Sequence, residues 1–292
     1  MSSILGVDVG GTQTKWATIS GNDVVDHGAL ATPGAPELLG EELARLPGGV
    51  TEVDRVGVAL PAVIDASSGR ALIAPNLPAA WTQRPVGEVI ADALGRPVRV
   101  CNDARAFSLA EATFGAGRGH RTVACITLGT GVGGGVVIDG RPHAGHDARA
   151  GEFGHLVVNP EGARCGCGGR GCLEAYAGGR AMVAAVRARG AIDLASPQAI
   201  ARAAAAGDPL AGWAIRRAAE ALGRALSQIA IVLAPDVVVI GGGLSGAFDL
   251  MRPHVERALA AASSVVPTIS IRSSQLGNHA GAIGAALWET PS

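Results

Sequence analysis

One histidine and three cysteines fall within eighteen residues: Gly151-Glu152-Phe153-Gly154-His155, then Cys165-Gly166-Cys167-Gly168-Gly169-Arg170-Gly171-Cys172-Leu173-Glu174. His155, Cys165, Cys167 and Cys172 are the ligand set of a closed tetrahedral zinc site, and the interleaved glycines let the chain fold tightly around an ion. Three unrelated thiols are the alternative, and their density speaks against it. Closed coordination leaves no position for an activated water, so the zinc is expected to be structural and to stiffen its loop. Glu152, His155 and Glu174 bracket the metal. Carboxylates and an imidazole on a rigid loop suit a polyhydroxyl ligand, and His155 can give one ring nitrogen to zinc and the other to a sugar. Glu174 also reads as a solvated helix start.

Three glycine-rich turns carry a second chemistry. In Asp8-Val9-Gly10-Gly11-Thr12, two glycines after a strand let backbone N–H groups and the Thr12 hydroxyl approach phosphate oxygens. A carboxylate there would repel bare phosphate, and it makes sense with Mg²⁺ between them. A plain hairpin turn with Asp8 solvated at a strand end fits the motif equally well. In Thr127-Leu128-Gly129-Thr130-Gly131-Val132-Gly133-Gly134-Gly135, alternating Gly and Thr supply donors without bulk, or else make a bulged strand. The run Gly241-Gly242-Gly243 offers a flat backbone surface on which an adenosine could lie. Asn102-Asp103 ends a strand and opens a helix; Asp103 reads as a helix cap or as a general base, and spacing alone favours the cap.

These turns need strands that end in them. Ile4–Val9, Thr14–Ile19, Val56–Leu60, Val98–Cys101, Thr122–Leu128, Gly133–Ile138 and Val237–Ile240 read as strands. Turn chemistry at Ser20-Gly21-Asn22-Asp23 leads to a further strand, and Asp139-Gly140 is a hairpin signal. Helices are predicted over Pro36–Leu46, Val86–Leu94, Ala104–Gly115, Ala175–Arg189, Pro197–Ala205, Ala211–Leu233 and Ala280–Trp288. Both halves begin strand, Gly/Thr turn, strand, turn, which predicts two related α/β lobes.

Composition narrows the classes. With 292 residues, 48% of them hydrophobic, the chain can bury a core without disulfides. Twenty-four Lys and Arg against 25 Asp and Glu give a net charge of −1, unlike a nucleic-acid binder. A single lysine, Lys15, leaves no place for a lysine-dependent phosphate loop. No apolar run reaches the roughly 18 residues of a membrane span, and no signal peptide is visible. Five cysteines, an odd number, point to a reducing cytoplasm, with Cys101 and Cys125 inert in apolar strands.

Together these motifs resemble the ROK family (repressor, open reading frame, kinase) over nearly the whole chain. Asp8–Thr12 resembles its first phosphate motif, Leu128–Gly135 its second, and Ala150–His155 with the cysteine cluster its zinc signature. Pro75-Asn76-Leu77 and Trp81 resemble a segment of bacterial glucokinases. The resemblance implies a two-lobed actin/hexokinase-like (ribonuclease H-like) α/β fold with duplicated domains and a zinc-bound loop. Residues 1–104 are expected as a small N-terminal lobe joined by the C-terminal helix 280–292, and residues 105–279 as a large lobe. It further implies Asp103 as base on a sugar 6-hydroxyl, overriding the cap reading and leaving capping as a second role. Asn76, Asn102, Glu152, His155 and Glu174 become sugar ligands. Gly10, Gly11, Thr12, Thr130 and Gly131 face ATP phosphates, with Asp8 and Lys15 beside them, Gly241 to Gly243 under the nucleotide, and Mg²⁺ as cofactor.

The expectation is therefore an ATP- and Mg²⁺-dependent hexose kinase with structural zinc, acting on glucose, with closure of the lobes excluding water. A homodimer is the family expectation, without nucleic-acid or membrane partners. N-acetylmannosamine, N-acetylglucosamine or fructose could replace glucose, and polyphosphate could replace ATP. A sugar-responsive repressor would carry a DNA-binding module ahead of the Asp8 strand, for which residues 1–3 leave no room; a silent sugar sensor would not need both Asp8 and Asp103. One departure is Pro61-Ala62, where many of these kinases have Pro-Gly. If the glycine at that place packs against the sugar or takes positive φ, Ala62 would narrow or reshape the pocket.

Overall fold

The computed structural model describes residues 3–21, 23–46, 53–65, 68–262 and 264–289. Asn22 of the expected turn and residues 290–292 of the expected C-terminal helix lie outside them. The strands are β1 (Ser3–Val9), β2 (Gln13–Ser20), β3 (Asp23–Ala31), β4 (Arg55–Leu60), β5 (Val63–Ile64), β6 (Ala71–Ile73), β7 (Val98–Asn102), β8 (Thr122–Leu128), β9 (Val132–Ile138), β10 (Arg141–Pro142), β11 (Val237–Gly241) and β12 (Ser270–Ser273). The helices are α1 (Pro36–Ala44), α2 (Val86–Leu94), α3 (Asp103–Thr113), α4 (Glu174–Ala177), α5 (Gly179–Arg187), α6 (Pro197–Ala205), α7 (Pro209–Leu233), α8 (Phe248–Ala260) and α9 (Ala280–Leu287). None of the described helices is long and apolar enough to cross a membrane.

Two five-stranded mixed sheets share one pattern. Their orders are β3-β2-β1-β4-β7 and β10-β9-β8-β11-β12, each a hairpin edge followed by parallel strands. This is an α/β fold with the duplication that the repeated strand–turn–strand openings predict. Asp139 and Gly140, at φ 51° and 75°, make the two-residue turn that the twist of a hairpin favours. Strands β4 and β11 are apolar runs buried along almost their whole length, as central parallel strands must be.

The chain divides into two compact units, Met1–Gly119 with Val136–Ala150 and Leu276–Ser292, and His120–Gly135 with Gly151–Gln275. Within the first unit, which runs to Gly119 where the sequence reading placed a lobe edge at residue 104, α3 packs against α9. This unit also holds the end of β9 from Val136, the Asp139-Gly140 turn and β10. Its core gathers Leu5, Val7, Leu39, Leu43, Val58, Leu60, Trp81 and Ile90 between β1, β4, α1 and α2.

Three elements differ from the sequence reading. The helix predicted over Ala175–Arg189 is broken at Gly178, whose extended ψ of 139° separates α4 from α5. The break frees the next two N–H groups, and Gly179 and Arg180 donate to the carbonyls of Gly129 and Thr130. Helix α8 went unread because Pro253 interrupts its interior, although Phe248, Met251 and Val255 mark its buried face. Strand β12 is largely exposed and lacks an apolar alternation.

Helix α9 lies directly on backbone. A Cβ on Gly6 or Gly57 would overlap the carbonyls of Ala282 and Ala285, and one on Gly284 would overlap that of Ala106. At its first turn, a Cβ on Gly281 would collide with the Asp8 carboxylate. Asp8 thus lies deep under α9 although part of the residue reaches solvent. Burial pushes its carboxyl up to about 6, against the lowering pull of Lys15, its cross-strand partner.

Two predictions follow from this packing. Gly57→Ala should lower stability by about 1–3 kcal/mol through forced separation of β4 and α9. Gly212→Ala, on α7 with nothing within 4 Å of its added methyl, should be neutral or stabilising by under about 1 kcal/mol; thermal melts compare them. For Asp8, the folded state holds its proton more tightly than the unfolded chain, so its burial costs stability as pH rises from about 4 through 6. Asp8→Asn should therefore gain up to about 3 kcal/mol on wild type above pH 6, a gain that shrinks towards zero below pH 4. Denaturant midpoints of both proteins at pH 4 and 7 measure it.

Candidate functional site

In the first unit the β1–β2 turn is held by one residue from β3's end. Thr32 donates its hydroxyl to Gly10 O at 2.7 Å and its N–H to Thr12 O at 3.1 Å. The buried Thr14 hydroxyl lies 3.1 Å from that of Thr32. Gly10 N–H closes the turn on Gln13 O at 3.0 Å. Gly11 and Thr12 remain exposed. A Cβ on Gly11 would come within 2.9 Å of Asn76 O, so a glycine is needed where the turn meets the Pro75-Asn76-Leu77 segment. Asn76 is half-buried in that segment. No sequence signal marked Thr32, because its pairing is purely three-dimensional.

At the head of α3 the cap is Asn102, not Asp103. Asn102 Oδ1 accepts from Ala104 N at 3.0 Å and Arg105 N at 3.2 Å, in the usual geometry of an N-cap. Its Nδ2 donates to Ala62 O at 3.3 Å, which ties the cap to the loop after β4. Asp103 follows as the first helical residue, half-buried, with Oδ1 accepting from Ala104 N at 2.8 Å. The expectation that Asp103 doubles as cap is therefore corrected. At Pro61-Ala62 the structure answers the question of φ: Ala62 is absent from the residues with positive φ, and it is buried in the first unit's core. No left-handed backbone is needed there, so alanine fits without strain.

In the second unit the loop Gly129-Thr130-Gly131 is fastened at several points. Gly129 N–H bonds Gly131 O at 3.0 Å, and its carbonyl accepts from Gly179 N at 2.9 Å. Thr130 O accepts from Arg180 N at 3.1 Å, and the Thr130 side chain is exposed. Glu174, which opens α4, reaches behind the loop and accepts from Val132 N through Oε2 at 2.9 Å. A Cβ on Gly131 would overlap that carboxylate. One oxygen of Glu174 is thus committed to the loop, a use that the sequence did not announce.

Strands β8 and β11 run parallel with Thr127 opposite Gly241, so their two glycine turns emerge side by side at carboxyl ends. That is where open α/β sheets bind ligands. Gly242 takes φ 89°, and a Cβ there would come within 2.5 Å of Leu128 O. Leu244 N–H donates to the same carbonyl at 2.9 Å, locking the second turn to the third. Gly243 has nothing within 4 Å of its missing side chain, which leaves a bare backbone surface.

The His155–Cys cluster assembles as the spacing predicts. Nδ1 of His155 lies 3.9 Å from Cys165 Sγ, and Cys167 Sγ lies 3.8 Å from Cys172 Sγ. All four ligand atoms fall within 4.8 Å of one another. A tetrahedral ion with bonds of about 2.3 Å to sulfur requires sulfur pairs about 3.8 Å apart, so the donor set fits zinc in number, type and spacing. The turn is built from Cys165 N to Gly169 O and Gly168 N to Cys165 O, with Gly168 at φ 90°. The protein's one tyrosine supports the same loop, Tyr176 Oη accepting from Ala163 N at 3.0 Å. Burial pushes the Cys172 thiol up to about 12 and raises Cys165, whereas the Gly169 backbone lowers Cys167. A metal must therefore displace protons to bind. Glu152 is exposed and its carbonyl accepts His155 N–H at 3.0 Å. Glu174 Oε1 lies 3.9 Å from Cys165 Sγ, so this carboxylate bridges the cluster and the glycine loop.

The structure thus groups Asp8, Gly10, Gly11, Thr12, Lys15, Asn76, Asn102 and Asp103 in the first unit. It groups Thr130, Gly131, Glu152, His155, Glu174 and Gly241 to Gly243 with the cysteines in the second. Residues 4–291 match the ROK family. A glucokinase from Streptomyces coelicolor is 34% identical, with 98% of this chain and 97% of that protein covered. The crystal structure of a ROK family glucokinase from Streptomyces griseus, in complex with glucose and AMPPNP, is 34% identical with a TM-score of 0.82 and covers 98% of both chains. A ROK hexokinase from Thermus thermophilus is 32% identical with a TM-score of 0.83, over 98% of this chain and 97% of the other. Over nearly its whole length, this chain belongs to the ROK family.

Proposed function

We propose that the protein transfers the γ-phosphoryl group of ATP to the 6-hydroxyl of a hexose, glucose being the substrate. One observation carries the reading: Asn102 is the N-cap of α3, accepting from Ala104 N and Arg105 N, so Asp103, the first helical residue, shares only the Ala104 N–H and is not the residue on which the cap depends. Full-length likeness to a glucokinase structure that holds glucose and AMPPNP supports the substrate pair. In this reading Asp103 accepts the proton of the sugar 6-hydroxyl while its oxygen attacks the γ-phosphorus and ADP departs in line.

The remaining residues orient the two substrates. Gly10, Gly11, Thr12, Thr130 and Gly131 give N–H and hydroxyl donors to the phosphates, with Lys15 adding positive charge. The bare backbone of Gly241 to Gly243 receives the adenosine. Asp8 would hold Mg²⁺, directly or through water, and the ion would neutralise charge on the transferring phosphates. Asn76, Asn102, Glu152, His155 and Glu174 hold the sugar hydroxyls. Asn102 has one amide hydrogen left for this after its bond to Ala62. Glu174 has Oε1, and His155 keeps Nε2 because Nδ1 faces the cysteines. His155, Cys165, Cys167 and Cys172 would hold structural zinc, which fixes the orientation of the imidazole.

ADP release from Mg-ATP, measured with glucose, mannose, fructose, N-acetylglucosamine and N-acetylmannosamine against a no-sugar control, tests the substrate. Selective turnover of glucose is the expected result; turnover of an acetylated sugar instead would overturn the glucose assignment. Asp103→Asn should retain glucose binding by calorimetry and lose turnover by about 10²–10⁴-fold, the usual scale for a general base. Near-normal turnover would remove Asp103 from the chemistry. Elemental analysis should find one zinc per chain, and Cys167→Ser should lower zinc content together with the thermal midpoint. An unchanged midpoint in zinc-free protein would mean that the loop does not need the ion.

A further inference from the structure

Buried charge is rare here. Among the described residues the buried polar side chains are Thr14, Arg105, Ser108 and Glu111, and the last three sit on α3. Ser108 donates along its own helix, to Ala104 O at 2.7 Å. Arg105 and Glu111 instead reach off the helix to backbone at the borders of the first unit. The chain crosses those borders after Gly119, Gly135, Ala150 and Gln275. Glu111 Oε2 accepts from Ala116 N at 2.9 Å, just before the first crossing, and Oε1 accepts from Leu276 N at 3.0 Å, just after the last. Arg105 donates from Nε and Nη2 to Ala150 O, both at 3.3 Å, at the third. Gly115 makes room for this clasp, because a Cβ there would overlap the Glu111 carboxylate.

Three of the four crossings are thus fastened to one helix, and that helix begins with Asp103. Eight residues separate Asp103 from Glu111, about 12 Å along a stiff rod. We propose that Arg105 and Glu111 are positioning residues for Asp103: they lock the border segments to α3, so that the helix start holds one orientation during phosphoryl transfer. The proposal rests on reading Asp103 as the base. Neither side chain is among the groups read above as holding sugar or ATP, so in this proposal their loss acts on turnover. Displacing a base by a fraction of an ångström is enough to cost rate. A buried carboxylate shared by two N–H groups is also costly to leave half-satisfied.

Glu111→Gln and Arg105→Lys in the full-length, zinc-loaded protein test this. The glutamine keeps the volume but accepts from one N–H and sets its own amide against the other; the lysine keeps the charge but loses the fork. Both should bind glucose with a Kd within about twofold of wild type and keep KM within a similar range. Assayed well below their melting temperatures, both should lose kcat by about 10–100-fold. Hydrogen exchange at Ala116 and Leu276 should be faster in Glu111→Gln. A purely structural role would lower the melting temperature and leave kcat at wild-type level, and that result in either folded variant overturns the positioning role. Wild-type protein inactive on every sugar would overturn the Asp103 reading itself, an outcome distinct from active wild type with unaffected variants.

Discussion

A helix can rest on the backbone of a β-sheet only where neither surface carries a side chain at the crossing. Helix α9 meets that condition with Gly6 and Gly57 beneath it and with its own Gly284 against α3. The first unit depends on this approach. It brings α9 against β1, β2, β4 and α3 at once, so an element near the C-terminus fixes both the strand that carries Asp8 and the helix that opens with Asp103. Close packing of small residues leaves no slack, and each added methyl must be accommodated by moving backbone. The apolar sequence Ala280-Gly281-Ala282-Ile283-Gly284-Ala285-Ala286-Leu287 is therefore a fitted surface, poor in side-chain bulk because the backbone itself is the contact.

In the second unit the corresponding constraint is a carboxylate. Glu174 accepts the N–H of Val132 on one side and approaches Cys165 on the other. The chain supports that bridge by interrupting helix 175–189 at Gly178, which costs helical hydrogen bonds but gives two N–H groups to the carbonyls of Gly129 and Thr130. The glycine loop is thus fixed from three directions. Order in the cysteine loop passes through Glu174 to the glycine turn, so a metal held by the four ligands would be linked to that backbone without needing a role in chemistry.

Much of this arrangement was legible because its signals are local. Val237–Ile240 and Thr122–Leu128 are apolar runs closed by glycine, and the cysteine spacing fixed a ligand set without knowledge of the fold. The resemblance in the motifs identified the family over nearly the whole chain. What was not legible arises between segments distant in sequence. Asn102 and Asp103 are both good capping types, and only the N–H geometry decides for Asn102. Thr32 reads as an ordinary polar residue until β2 and β3 pair and bring it to the turn. Ala62 looked like a threat to the sugar loop because its φ is invisible in sequence. Helix α8 was masked by Pro253, and no composition shift announces the packing of α3 on α9 within the first unit.

The duplication also shows where symmetry had to fail. Gly10 and Gly129 begin equivalent turns, and two positions earlier the first strand has Asp8 whereas the second has Thr127. A carboxylate beside a phosphate-binding turn would add its repulsion to the ligand's own charge. A single carboxylate such as Asp8 would be bridged to phosphate by one divalent cation, whereas a turn without one offers neutral donors alone. Burial under α9 makes ionised Asp8 costly in the unliganded chain, which increases what a cation gains by neutralising it. In the second turn the nearby carboxylate, Glu174, lies behind the loop and bonds the Val132 N–H, so its charge is partly satisfied by backbone. The two topologically equivalent turns thus differ in electrostatics, one beside a buried carboxylate and one beside a carboxylate already bonded to backbone.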